Sequence, residues 1–355
     1  MMIWVHYDKP SVVIYTPFQQ NDPSLESQWR ALILFGKNTT TYKFAFAKSL
    51  LQAANQERNR VSLKELALPF ARYMVAHIRA NDNQGNVPSS RYLNACRAFI
   101  RQEIDEEALR QATLRDGFRY VIDAFQQVNG AKIPQPFYQK DFAGGSKGLV
   151  ITDELLRLKE SFHFPHFGQE VEARWQLVET AWNLKINPNL LDVKYDEDKE
   201  TLYLEKGSMR RVDVTSARDA LNGYQKGKCF YSFQDISILS GSENLCAVDH
   251  FLPHINKQAH DREGANINGV WNLVLAEASV NRNKLARVPE IRFLQRLHRR
   301  NEWYISSKHP LAETIINQTG KTTVQRAAFL NRQYDIALQA SIHTWAPTLE
   351  FPGSF

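Results

Sequence analysis

Between Leu25 and about Gln127 the apolar residues recur at three- and four-residue intervals. Phe44, Ala47, Leu51 and Ala54 follow the Thr39-Thr40-Thr41 cluster, and Leu63, Leu66, Phe70, Met74 and Ile78 form a second stripe. This half is therefore expected to begin as helix packed on helix. Pro69 falls inside the second stripe and should kink that helix or mark its first turn, because proline has no N–H to donate. Asn81 to Pro88 and Gly144 to Gly148 are turn-rich breaks, which predict short, separately packed helices. Val171, Trp175, Val178 and Trp182 mark one face of a further helix, with its tryptophans in the core and its end at Asn187-Pro188-Asn189. The period then changes to two. Leu191, Val193 and Tyr195 alternate with polar residues, Asp196 to Glu200 supply a turn, and Leu202 and Leu204 alternate again, predicting a hairpin. Lys206-Gly207 is the expected boundary that follows it, and no repeat of solenoid length is present.

Composition narrows the class. The chain has 355 residues, 43% hydrophobic, 11% aromatic and 23% charged, the figures of a folded globular protein with room for one large domain or two to three ordinary ones. Lys and Arg number 44 against 38 Asp and Glu, a formal charge of +6, which mildly favours a polyanionic partner. Three cysteines, Cys96, Cys229 and Cys246, make no disulfide framework and suit a reducing compartment. No apolar run approaches the roughly 20 residues of a membrane span, and Met1 to Pro10 carry no basic leader. A cytoplasmic protein is expected.

The chemistry lies further on. Val248, His250 and Leu252 alternate with Asp249 and Phe251, and Trp271, Leu273 and Leu275 alternate with Asn272 and Val274, so two short strands should flank a polar loop. A helix is expected from about Ala276. That arrangement places a carboxylate and an imidazole at a strand end, facing an amide on the first turns of a helix.

Four ordered blocks, spread from about Ala217 to Pro289, resemble the HNH endonuclease family. They are Asn222 to Tyr231, Val248-Asp249-His250-Phe251-Leu252-Pro253, Asn272-Leu273-Val274-Leu275-Ala276, and Asn281-Arg282-Asn283-Lys284 closing at Val288-Pro289. They are similar to the HNH domains of the CRISPR RNA-guided nucleases. The resemblance implies a ββα-metal nuclease that leaves 5′-phosphate and 3′-hydroxyl ends. His250 is then the general base, since imidazole titrates near neutrality. Asp249 and Asn281 are oxygen ligands for Mg²⁺ or Mn²⁺, Asn272 orients the base, and Lys284, about one turn after Asn281, reaches the scissile phosphate. Ser232 stands where Cys229 would need a partner, and no cysteine falls in Glu277 to Val280, so no structural zinc is expected. One base and one metal imply nicking of one DNA strand per site, with double-strand breaks requiring dimerisation or a second event.

Arg282, Lys284, Arg287, Arg292, Arg296, Arg299 and Arg300, with Glu290 the one intervening acid, make a basic stretch suited to a phosphate backbone or to the solvated face of a helix. His254 and His260 are loop histidines that touch phosphate or ion if they are not simply solvated. His163 and His166, set among phenylalanines, read as a partly buried aromatic turn. Cys229 and Cys246 fit either a vestigial metal pair or a hairpin core.

The expected architecture is mainly α with a small α+β C-terminal portion. It comprises a helical recognition or regulatory domain over 1–207, a ββα nuclease domain over 208–300, and a helical extension over 301–355. Trp29 to Phe44 are similar to the openings of HNH proteins in bacterial anti-phage systems of the Zorya type, which implies defence proteins as partners besides DNA. Gly36-Lys37 with Thr39 to Thr41 lacks the second glycine of a phosphate loop, so nucleotide binding is disfavoured. The rival expectation is a non-catalytic nucleic-acid-binding or complex-assembling subunit with a structural HNH fold.

Overall fold

The first helices follow the apolar stripes: α1 (Leu25–Phe35), α2 (Tyr42–Ala54) and α3 (Leu63–Ala80). The computed structural model describes residues 23–355 except 36–39, 57, 86–89, 129–130, 144, 184–192, 207–209, 255–256, 308, 310, 340 and 342. Ser62 starts α3 with a reciprocal cap: its Oγ accepts from Glu65 N at 3.2 Å and the Glu65 carboxylate accepts from Ser62 N at 2.8 Å, satisfying two donors that a helix start leaves open. Pro69 lies inside α3 beyond that first turn.

After α4 (Arg91–Ile100), α5 (Glu106–Ala112) and α6 (Val121–Ala124) the chain departs from the expectation of helices alone. β1 (Arg60–Ser62), preceding α3, is joined by β4 (Tyr138–Asp141) and β5 (Gly148–Ile151) in an antiparallel sheet of order β1-β5-β4, and β2 (Gln127–Val128) pairs with β3 (Ala131–Lys132). The glycine-rich stretch therefore joins two strands instead of separating helices. A Cβ on Gly148 would lie 2.8 Å from the Val61 carbonyl oxygen, so the close strand pairing explains the glycine. Strands this short, with few β-branched residues, carry no period-two signal.

α7 (Asp153–Lys159) and α8 (Phe164–Asn183) complete the first core, in which Trp29, Phe44, Phe46, Phe70 and Trp175 are buried. The predicted stop at Asn187-Pro188-Asn189 lies outside the described residues, as do Leu191 and Gly207.

A second core begins within α8, where Leu177 joins it while the adjacent Val178 belongs to the first. The hydrophobic division thus lies upstream of Lys206. The predicted hairpin is present as β6 (Lys194–Asp196) and β7 (Thr201–Lys206), extended by β8 (Arg210–Ser216) into a three-stranded sheet. Then come α9 (Ala217–Gln225), β9 (Cys246–His250), α10 (Lys257–Arg262), β10 (Leu273–Glu277), α11 (Ala278–Lys284), α12 (Ile291–Ser306), α13 (Ala312–Thr319) and α14 (Thr323–Leu338). Tyr304, Ile315, Leu330 and Trp345 pack in one core with Leu273 to Ala276, so the C-terminal helices wall the same core as the β9–β10 hairpin. Among the described residues no helix is long and apolar enough to cross a membrane.

Buried polar groups join the two cores. Arg30 donates to both oxygens of Glu170 at 2.9 Å, and Asn222 donates to the same carboxylate at 2.8 Å. His163 Nδ1 lies 3.0 Å from Glu26 and its Nε2 lies 3.2 Å from the Gly227 carbonyl. Gly227 has φ +73 and its Cα faces the His163 ring, so a side chain there would be strained and would collide. His163 and His166 are joints between halves.

His166 gives a pH prediction. It is 1% exposed, and burial pushes its pKa down to about 4 against the pull of Glu170. An unfolded histidine titrates near 6.5, so between about pH 6.5 and 4 the unfolded chain binds the extra proton, and stability must fall as pH falls through that window. Thermal melts across it should show His166→Asn losing about 1–3 kcal/mol less than the parent protein. Parallel curves would show that another group sets the acid limb.

Candidate functional site

β9 and β10 form an antiparallel pair in which Asp249 faces Val274 and His250 faces Leu273, and α11 begins directly after β10. Strand, loop, strand and helix therefore follow in the expected order. The strands sit two residues from their predicted positions, Cys246–His250 and Leu273–Glu277, because Val270–Asn272 form a turn of 3-10 helix before β10.

Asn272 ties the loop together. It is fully buried; its Oδ1 accepts from Leu252 N at 2.8 Å, and its Nδ2 donates to the carbonyls of Leu252 and Ile267 at 3.0 and 2.9 Å. Only a carboxamide offers an acceptor and two donors in one plane for that set. From below, Arg300, also fully buried, donates to the carbonyls of Val270, Trp271 and Leu273. Gln225 brackets Leu275, accepting from its N at 2.7 Å and donating to its O at 2.8 Å.

Strand alternation sends Asp249 and His250 to opposite sides. Asp249 accepts from the Tyr231 hydroxyl at 2.6 Å through Oδ2 and from the Lys284 ammonium at 3.0 Å through Oδ1. Lys284 also donates to the His250 carbonyl at 2.7 Å and is only 1% exposed. Burial nevertheless raises the Asp249 pKa, more than Lys284 and Tyr231 lower it. The expectation that Lys284 reaches a phosphate needs correcting: its ammonium is enclosed against Asp249, because the helix face one turn after Asn281 points into the hairpin. Both Asp249 oxygens are engaged, and a cation already stands on one of them. Asp249 and Asn281 as arranged do not fit a divalent ion. The Asn281 carboxamide is half-buried and makes no hydrogen bond among the described residues.

His250 faces His254, at 4.2 Å between ring centroids, and Tyr195 of β6 at 5.8 Å. Burial first, then the nearby His254 and Lys284, push its pKa down to about 3, while Asn268 pulls the other way. The ring is therefore neutral near pH 7.

The basic stretch also divides. Lys284 and Arg300 are buried, Arg296 donates to the carbonyls of Phe230 and Tyr231, Arg296 and Arg292 both hold Glu350, and Arg287 turns back onto Lys284 O and Asn283. As a continuous phosphate track the expectation is corrected: only Arg282 and Arg299 are exposed with no side-chain partner among the described residues. His260 is buried on Gln333 at 2.7 Å. Cys229 and Cys246 are buried free thiols.

Tyr231, Tyr195 and Asn268 were not identified from sequence as site residues. Tyr231 lay within the matching lead-in block and carried that much signal; Tyr195 comes from a separate sheet and carried none. Among the described residues no three His, Cys, Asp or Glu side chains converge as metal ligands. No family model, no curated protein and no solved structure matches this chain.

Proposed function

We propose that this chain is an endonuclease of HNH type that hydrolyses DNA phosphodiester bonds, nicking one strand per site. The observation that carries the reading is the ββα unit itself, with Asp249-His250 at the end of its first strand, Asn272 clamping the loop before its second, and Asn281 on the helix that follows. His250 stands where water is activated, neutral and held by a strand. Arg282 and Arg299 are the exposed cations left to meet a phosphate backbone. The N-terminal half serves recognition or control, coupled to the hairpin through Glu170, Asn222 and Gln225, in bacterial defence against phage DNA together with partner proteins.

The test is conversion of supercoiled plasmid to open circles in Mg²⁺, Mn²⁺ and EDTA. We expect open circles to accumulate, and His250→Ala to slow them by about 100-fold or more. If neither DNA nor RNA is cut across low and moderate salt, the reading fails. Phage plating indifferent to His250→Ala would remove the defence role alone.

One observation favours a second reading. Lys284 and Tyr231 each hold one oxygen of Asp249, as they would in a nucleic-acid-binding or assembly subunit whose HNH fold is structural. That protein would bind DNA equally well with His250→Ala.

A further inference from the structure

We propose that His250, His254 and Asn268 form a binding site for one borderline transition cation of the Mn²⁺, Co²⁺, Ni²⁺ and Zn²⁺ class, separate from the Asp249 and Asn281 pair. Three polar atoms carry the proposal. His250 Nε2, His254 Nε2 and Asn268 Oδ1 are each enclosed, and none has a partner at hydrogen-bond distance and angle among the described residues. They belong to one cluster: the two imidazoles lie 4.2 Å apart between centroids, and Asn268 is the amide neighbour of the His250 ring. His250 is only 9% exposed, so its orphaned nitrogen has no recourse to bulk water, and buried polar atoms of native proteins are nearly always satisfied.

The chemistry of the donor set selects the ligand. A carboxamide oxygen can only accept, and each neutral imidazole offers one lone pair. With both rings carrying their proton on Nδ1 the three atoms are all acceptors, a set that a cation satisfies, and two nitrogen ligands favour the imidazole-loving ions over Mg²⁺. Lys284, whose charge would repel the ion, is neutralised by Asp249. Lys257 is the other cation facing His250, and it lies on the exposed side of α10.

This inference rests on the nuclease reading for its consequence. Three protein ligands leave positions open for water and a phosphate oxygen, and an ion of this class lowers the pKa of bound water towards neutrality. The bound water gives its proton to bulk solvent, its oxygen forms the new P–O bond, the P–O3′ bond breaks, and the departing 3′ oxygen takes a proton from water. The ion thereby takes part in the water activation otherwise assigned to His250 alone.

The experiment titrates Co²⁺ into chelator-stripped full-length protein, following visible absorption, with Mg²⁺ as competitor. We expect one equivalent bound, no displacement by millimolar Mg²⁺, and at least tenfold weaker binding in His254→Gln and in Asn268→Ala, with Asn281→Ala unchanged. Two variants are used so that one failing to fold, as judged by circular dichroism, leaves the other. Absence of Co²⁺ binding, or binding indifferent to both substitutions, overturns the site. Plasmid nicking on the same samples separates the two ideas: a bound ion without cleavage sinks the nuclease reading and leaves the site standing, whereas cleavage insensitive to His254→Gln does the reverse.

Discussion

Lys284→Met should destabilise the protein by about 3–5 kcal/mol in urea unfolding, because it leaves the Asp249 carboxylate buried with the Tyr231 hydroxyl as its one remaining partner among the described residues. The ion pair is 1% and 8% exposed at its two ends, so solvent cannot replace the lost ammonium. The double variant Asp249→Asn with Lys284→Met should recover most of the loss, since a neutral amide still accepts from Tyr231 and methionine fills the lysine stem's volume. If Lys284→Met alone costs less than about 1 kcal/mol, the pair is open to water and Asp249 regains its place as an ion ligand. The result thus decides between a structural and a metal-binding role for the carboxylate.

Asn272→Ala should cost about 3–5 kcal/mol and abolish any nicking activity together. Three hydrogen bonds disappear at once, stranding Leu252 N and the carbonyls of Leu252 and Ile267 in a buried loop, and each orphaned group costs about 1–3 kcal/mol, with less than full additivity. Asn272→Asp keeps the acceptor for Leu252 N but turns a carboxylate on two carbonyls, so it should be no better. Hydrogen exchange at Leu252 N reports the damage directly: protection lost there while the first core stays protected places the effect in the site. Unchanged protection would mean that Arg300, which holds the same turn from below, suffices alone.

Sequence alone determined the elements that rest on a long local period. The stripes from Phe44 to Ala54 and from Leu63 to Ile78 became α2 and α3, Trp175 went into the core, and the alternation around Asp249-His250 and Leu273 became β9 and β10, because helix and strand periodicity are properties of neighbouring residues. The role of Asn272 did not come from period: the family resemblance implied an orienting residue, and its bonds to Leu252 and Ile267 are set by the folded loop. The β1-β5-β4 sheet was not legible either, since its three- and four-residue strands are too short to show a period and pair across long stretches of chain. Nor could spacing say which arginines stay free, because that depends on carbonyls and carboxylates brought from elsewhere, such as Glu350 and the turn at Val270. Asp249 and His250 are adjacent in sequence and read as one catalytic pair. Only the tertiary structure decided their separate company: Tyr231 and Lys284 close on the carboxylate from the lead-in and the helix, and Tyr195, His254 and Asn268 surround the imidazole from a distant strand and the loop. The physical reason is that a strand sends neighbouring side chains to opposite sides, and what each meets there is fixed by packing, not by spacing.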